Sequence, residues 1–199
     1  YSQPELNQLD KIFFGLKKSI GDYIVLMDGD DKFSKEKLYY LNKLIEKKNV
    51  TINQDLPLID NIYKKKIELM KVKKYKNLKI YKSILNQWPQ VYGTSSIVVS
   101  TKILKNFFKK ANPFNWPFLA IDIQLLIFCS LFYKLSYFGE NLTIKKIHND
   151  NLGEKYLNIF KKIFWRRRKM QYEFYFFLSK KFFFSLDFLL TKLLNFIIK

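Results

Sequence analysis

The 199-residue sequence has one cysteine, one histidine and no run of about twenty uninterrupted apolar residues. Each scarcity excludes something. A lone thiol forms no internal disulfide, and Cys129 sits inside the apolar run "LLIFCSLF", which predicts a buried thiol in a reducing compartment. With a single imidazole and no CxxC, too few ligands remain for a zinc site. Without a long apolar run there is no clear transmembrane helix, and the polar first twenty residues do not form a leader. Acid is also short: 17 Asp and Glu stand against 36 Lys and Arg, for a net charge of +19. Such a surplus draws polyanions, whether nucleic acid, anionic lipid or phosphorylated small molecules. The joint abundance of Lys, Ile, Asn and Phe is equally what AT-rich coding produces, so a solvated lysine surface stands as the even alternative source of most of the charge.

What is present reads as alternating helix and strand. In residues 5–19, Leu9, Ile12, Phe13 and Leu16 recur at helical spacing, and Gly21 follows as a stop. The run Tyr23 to Met27 is apolar without alternation, which predicts a parallel strand buried on both faces. Ser34 is placed to cap a helix through about residue 48 with Leu38, Leu41, Leu44 and Ile45 inward. Residues 50–62 read as loop with at most a short strand, and 63–77 as a basic helix. A strand over 94–100, a short helix behind it, a Pro/Asn loop over 112–117 and an apolar helix over 119–134 come next. Two short strands, 135–138 and 142–147, flank Gly139. The pattern predicts an α/β domain with a mostly parallel sheet over residues 1–153 and a basic, aromatic helical tail over 154–199.

Three carboxylates, Asp28, Asp30 and Asp31, crowd the end of the first strand in "YIVLMDGDDKFS". Ligands of open α/β sheets bind at the carboxyl ends of strands, and hard carboxylate oxygens there suit Mg²⁺ or Mn²⁺ bridging to phosphates. Gly29 would permit close backbone approach or an unusual φ. The plainer alternative is an acidic turn capping the next helix. Asp122 is the one acid of the helix 119–134, and an apolar setting raises a carboxyl pKa, as suits a general base. Its plain alternative is a helix N-cap.

The stretch "GDYIVLMDGDDKFSKEKL" resembles the central signature of family 2 glycosyltransferases of the GT-A (Rossmann-like) fold. "GTSSIVVSTKIL", the acid of "AIDIQLL" and the histidine of "IKKIHNDNLG" match further family features in the same order, over roughly residues 3–153. The resemblance implies that Asp28 binds the ribose of a nucleotide-sugar donor and Asp30 the divalent metal on its diphosphate. It makes Asp31 a support of that shell or of the sugar, and Asp122 the base that deprotonates the acceptor hydroxyl. His148 would reach the metal or diphosphate from a closing loop. Thr94 and Ser95 fall on the acceptor side, and Trp116, with Trp88, would either stack on an acceptor sugar or pack a core. The family's opening nucleotide-binding βαβ half has no counterpart here, and an apolar residue stands beside Asp122 where the family often has a second acid.

The implied activity is a metal-dependent, inverting transfer of sugar to a glycan or lipid-linked acceptor in surface or envelope polysaccharide synthesis. In "FFFSLDFLLTKLLNFIIK", Asp187, Thr191 and Asn195 trace one polar stripe on an otherwise apolar helix. That predicts a peripheral contact with anionic membrane at the cytoplasmic face, with Trp165, the Arg166–Arg168 triplet and flanking lysines touching headgroups. Packing on the domain or on a partner helix is the alternative. Rival classes are a nonenzymatic basic protein binding anionic lipid or nucleic acid, and a truncated, inactive glycosyltransferase. No nucleic-acid-binding motif accompanies the basic tail, and the acidic cluster would weaken a phosphate-binding surface.

Overall fold

The structure, a computed structural model, describes residues 7–48, 51–63, 65–70, 88–148, 158–181 and 185–198. In chain order the elements are α1 (Gln8–Lys18), β1 (Tyr23–Val25), β2 (Lys32–Phe33), α2 (Lys37–Lys48), β3 (Ile52–Asp55), β4 (Leu58–Asn61), β5 (Lys66–Leu69), β6 (Ile97–Ser100), α3 (Thr101–Ala111), α4 (Ile121–Phe132), β7 (Leu135–Phe138), β8 (Thr143–Ile147), α5 (Lys162–Ser179) and α6 (Leu186–Ile197). The fold is α/β with two mixed sheets.

Ile97, Val98 and Val99 are β-branched, and alternation sends them to opposite faces of the first sheet. Ile97 and Val99 join a large cluster with residues of α1, α3, α4 and α5, while Val98 meets Leu41 of α2 with Phe138 and Leu142. Helices therefore cover both faces. The order is β1-β6-β3-β7, and β6 runs antiparallel to both of its neighbours; only β3 and β7 pair in parallel. The second sheet, β2-β8-β4-β5, likewise has one parallel pairing, β4 with β8.

This corrects the expectation of a mostly parallel sheet, and with it the burial of the first strand. Tyr23–Val25 is half-buried at the end of the strand order, paired with β6 alone. The strands around Gly139 do not pair with each other, since β7 enters the first sheet and β8 the second. Ile52–Asp55 and Leu58–Asn61 form two strands where loop with at most a short strand was expected, and Lys66–Leu69 is an exposed edge strand rather than helix. The rest of the expected basic helix, 71–77, lies outside the described residues.

Two details of α2 also differ. The helix starts at Lys37, the Ser34 hydroxyl makes no hydrogen bond, and the carbonyl of Ser34 instead accepts from the Lys37 amide at 3.1 Å. Leu38 points outward at 64% exposure, and Lys37 takes the inward position one turn before Leu41.

The tail divides by helix. Phe174, Tyr175 and Leu178 of α5 belong to the same cluster as Phe107 and Phe128, so α5 is part of the main core. Trp165 is buried and donates from Nε1 to the Ile159 carbonyl at 2.7 Å, so it is not a headgroup contact. Arg166 lies over the Phe118 ring at 3.9 Å and Arg168 is paired with Asp187, which turns two of the three arginines to structural use. No helix among the described residues is long and apolar enough to cross a membrane.

Candidate functional site

The acidic loop after β1 is fastened at four points. The Leu26 amide donates to the Ile97 carbonyl at 3.0 Å, and the Asp28 amide to Ser95 Oγ at 2.8 Å. Asp31 Oδ1 accepts the Lys146 amide at 2.9 Å, and the Ser34 amide reaches the Leu142 carbonyl at 2.9 Å. A loop held at both ends and in the middle presents its remaining carboxylates in fixed positions. Gly29 is not in the left-handed region, and a Cβ there would meet open space. Gly93 is left-handed instead, at φ 112°, and the Lys145 side chain lies against its α-carbon, where a Cβ would come within 3.2 Å of Nζ.

Asp30 and His148, 118 residues apart, meet here: Oδ2 and Nε2 are 2.7 Å apart, with the two side chains 38% and 27% exposed. The carboxylate only accepts, so the imidazole donates. Among the described residues no group of three or more His, Cys, Asp or Glu side chains is placed to hold a metal. Mg²⁺ is ordinarily held by one or two carboxylates plus substrate phosphates and water, and an accessible Asp–His pair fits that donor count for Mg²⁺ or Mn²⁺.

Asp28 is half-buried and takes a 2.5 Å hydrogen bond from Gln8 Nε2, which also reaches Thr94 Oγ1 at 3.2 Å. Burial pushes its carboxyl from 3.8 up to about 6, Gln8 opposes the shift, and Asp31, Asp122 and Asp30 add to it by repulsion. Between those values the folded state holds a proton that the unfolded chain has released, so stability falls as pH rises from 3.8 to about 6. Asp28→Asn, which keeps an acceptor for Gln8, is therefore expected to stabilise the fold at neutral pH. After discounting for partial exposure the gain is ~1 kcal/mol. Thermal melts should show a raised Tm at pH 7 and no difference below pH 3.8.

Asp122 lies in the first turn of α4, after an N-cap position occupied by Ala120, so it is not the cap. Its Oδ1 accepts the Ile123 amide at 2.7 Å. Burial raises its carboxyl above the ordinary range, while the Ile123 amide and the cations Lys145 and Arg167 pull it back. Asp122 thus shares one electrostatic environment with the acidic loop, since its charge is felt at Asp28.

The other expected site residues have other positions. Asp31 is 6% exposed and engaged with the β8 backbone. Thr94 and Ser95 are buried beneath the loop, where they hold Gln8 and Asp28. Trp116 donates from Nε1 to the Ala111 carbonyl at 3.2 Å, and its ring packs on Phe174 and Phe177 of α5. Trp88 packs edge-on against Tyr172 and Tyr175. Both tryptophans therefore contact α5.

Sequence reasoning missed Gln8, Lys37, Asp55 and Lys145, and gave Arg167 a headgroup role where the structure sets its charge near Asp122. Lys37 is 1% exposed, and its Nζ lies 2.9 Å from Asp55 Oδ1, 2.7 Å from the Ser95 carbonyl and 2.6 Å from Thr143 Oγ1. No local pattern separates one lysine from the many others in so basic a chain. Asp55, an acid ending a strand, was the one available signal. Comparison with known proteins finds no matching family model and no matching curated sequence.

Proposed function

We propose that this chain is a metal-dependent, inverting glycosyltransferase of the GT-A type. It moves a sugar from a nucleoside-diphosphate donor to a glycan or lipid-linked acceptor in surface or envelope polysaccharide synthesis, at the cytoplasmic face of the membrane. The observation that carries the reading is the 2.7 Å meeting of Asp30 with His148, beside Asp28, whose carboxyl feels the charges of both Asp30 and Asp122. An acidic turn that merely capped α2 would need no imidazole delivered from the far end of the domain.

In this reading Asp30 and His148 would hold Mn²⁺ or Mg²⁺, with His148 Nε2 giving up to solvent the proton it donates to Asp30 so that its lone pair can ligate. When bound, the metal supplies Lewis-acid stabilisation of the charge that develops on the leaving diphosphate. Asp28 takes the donor's ribose hydroxyls, and the hydrogen bonds from Gln8 and to Ser95 fix its position. Asp31 keeps β8 against the loop so that His148, just beyond β8, arrives over Asp30. Asp122 accepts the proton of the acceptor hydroxyl as that oxygen bonds to the anomeric carbon and the bond to the diphosphate breaks.

Isothermal titration of the chain with uridine and guanosine diphosphates, with and without Mn²⁺, tests this. One nucleotide is expected to bind only with Mn²⁺, and Asp30→Ala to weaken it at least about tenfold, a loss of ~1.4 kcal/mol or more. Weak, metal-independent binding that ignores the substitution would falsify the proposal.

A further inference from the structure

The last helix is polar side in. Asp187 is 2% exposed, and Arg168 Nη2 donates to both of its oxygens at 2.8 and 2.7 Å. The Tyr172 hydroxyl also donates to the Asp187 carboxylate. One turn on, Thr191 is fully buried, and Phe188 between them packs on Tyr172 and Phe176 of α5. The stripe that would ordinarily face water is the one that grips the domain.

The opposite side follows from helical geometry. At 100° per residue, Leu186, Leu189, Leu190, Leu193, Phe196 and Ile197 fall within an arc of about 120°. All six are solvent-exposed, from 40% at Leu190 to 85% at Phe196. Rotating α6 to bury the leucines would strip Asp187 of Arg168 and leave each without the other, so the inversion is enforced by the ion pair and not by chance packing.

We infer that this outward face docks on an anionic lipid bilayer, with α6 lying in the interface. Twelve residues span ~18 Å, short of the ~30 Å hydrocarbon core, so the helix lies on the membrane and does not cross it. Charge identifies the occupant. Residues 158–198 carry nine basic side chains against two acids, and with Glu173 matched by Lys169 and Asp187 by Arg168 the segment keeps a surplus of seven positive charges. Lys161, Lys162, Lys180, Lys181 and Lys192 are exposed. A second copy meeting this face would bring together two segments that each carry a surplus of positive charge. Nucleic acid would satisfy the lysines but offers aliphatic side chains no apolar bed. A bilayer containing acidic headgroups supplies both charge and hydrocarbon.

The inference specifies how the chain meets the membrane and rests on the proposed function only for the location, not for the chemistry. Its test is co-sedimentation of the full chain with phosphatidylcholine vesicles with and without phosphatidylglycerol. Leu189→Gln/Leu193→Gln provides the variant, since both side chains are exposed and neither belongs to a core cluster. The chain is expected to pellet with the anionic vesicles, less so at high salt, and the double variant to partition at least about tenfold more weakly. Circular dichroism and Mn²⁺-dependent nucleotide affinity without vesicles should match between the two, so that failure of the catalytic reading is seen separately. Equal partitioning of the two proteins, or equal binding to both vesicle types, overturns the inference. So does a dimer in sedimentation velocity that the double variant dissolves while neither protein binds vesicles.

Discussion

Asp122→Asn is expected to lower sugar transfer about 10²–10⁴-fold, the usual worth of a positioned general base, while leaving nucleoside-diphosphate affinity and the circular dichroism spectrum unchanged. The amide is nearly isosteric, and its oxygen can still accept the Ile123 amide, so the start of α4 keeps its local bond. What it loses is proton affinity. In the proposed reaction the ionised carboxylate is the active form and burial raises its pKa, so transfer should rise with pH through a limb lying above the ordinary carboxylate range. The direction has an internal control. Lys145 favours the charged form of Asp122, so Lys145→Met should push that limb to still higher pH. A purely structural Asp122 would instead lower stability and activity together, with the pH profile of the surviving activity unmoved. Rates measured across the acid range for the wild type and the two variants decide between these outcomes.

How much of this was legible in the sequence depended on whether a residue's role is local. Helix α1 follows from its apolar spacing, α3 from its place behind a strand, α4 from its apolar run, and Asp28 to Asp31 from their place after a strand. β3 was not legible because "INQD" is polar yet wholly buried. Gln54 shows why: its amide donates to the Gln90 carbonyl at 3.1 Å and accepts the Tyr92 amide at 3.1 Å, so a polar side chain bonds backbone as a neighbouring strand would. Apolar-run criteria cannot detect such a strand. The first strand was legible as a strand but not as an edge, since edge position depends on which partners the rest of the chain supplies. The polar stripe of α6 was legible too, but not the side it faces. That is set by Arg168, nineteen residues away. Asp30 and His148 were each singled out, and their meeting is a product of β8 lying beside β2.

Lys37→Met is expected to be the most destabilising single substitution in the site's support, at about 3–5 kcal/mol, because it leaves Asp55 charged, buried and unpaired. Both partners are at most 1% exposed. Burial is the largest influence on each, lowering the lysine and raising the aspartate against their mutual attraction. An ion pair whose desolvation dominates in both members contributes little net stability, yet removing one member strands the other. Lys37→Met/Asp55→Asn should therefore recover most of the loss in urea unfolding, a non-additivity that independent packing effects would not give. The consequence reaches the site through Ser95. Lys37 holds the Ser95 carbonyl, and the Ser95 hydroxyl receives the Asp28 amide. In the double variant the fold returns but the ammonium that fixes Ser95 does not. Nucleoside-diphosphate affinity should accordingly stay below wild type even where stability is restored. Full recovery of both would make Lys37 a fold element alone and detach it from the acidic loop.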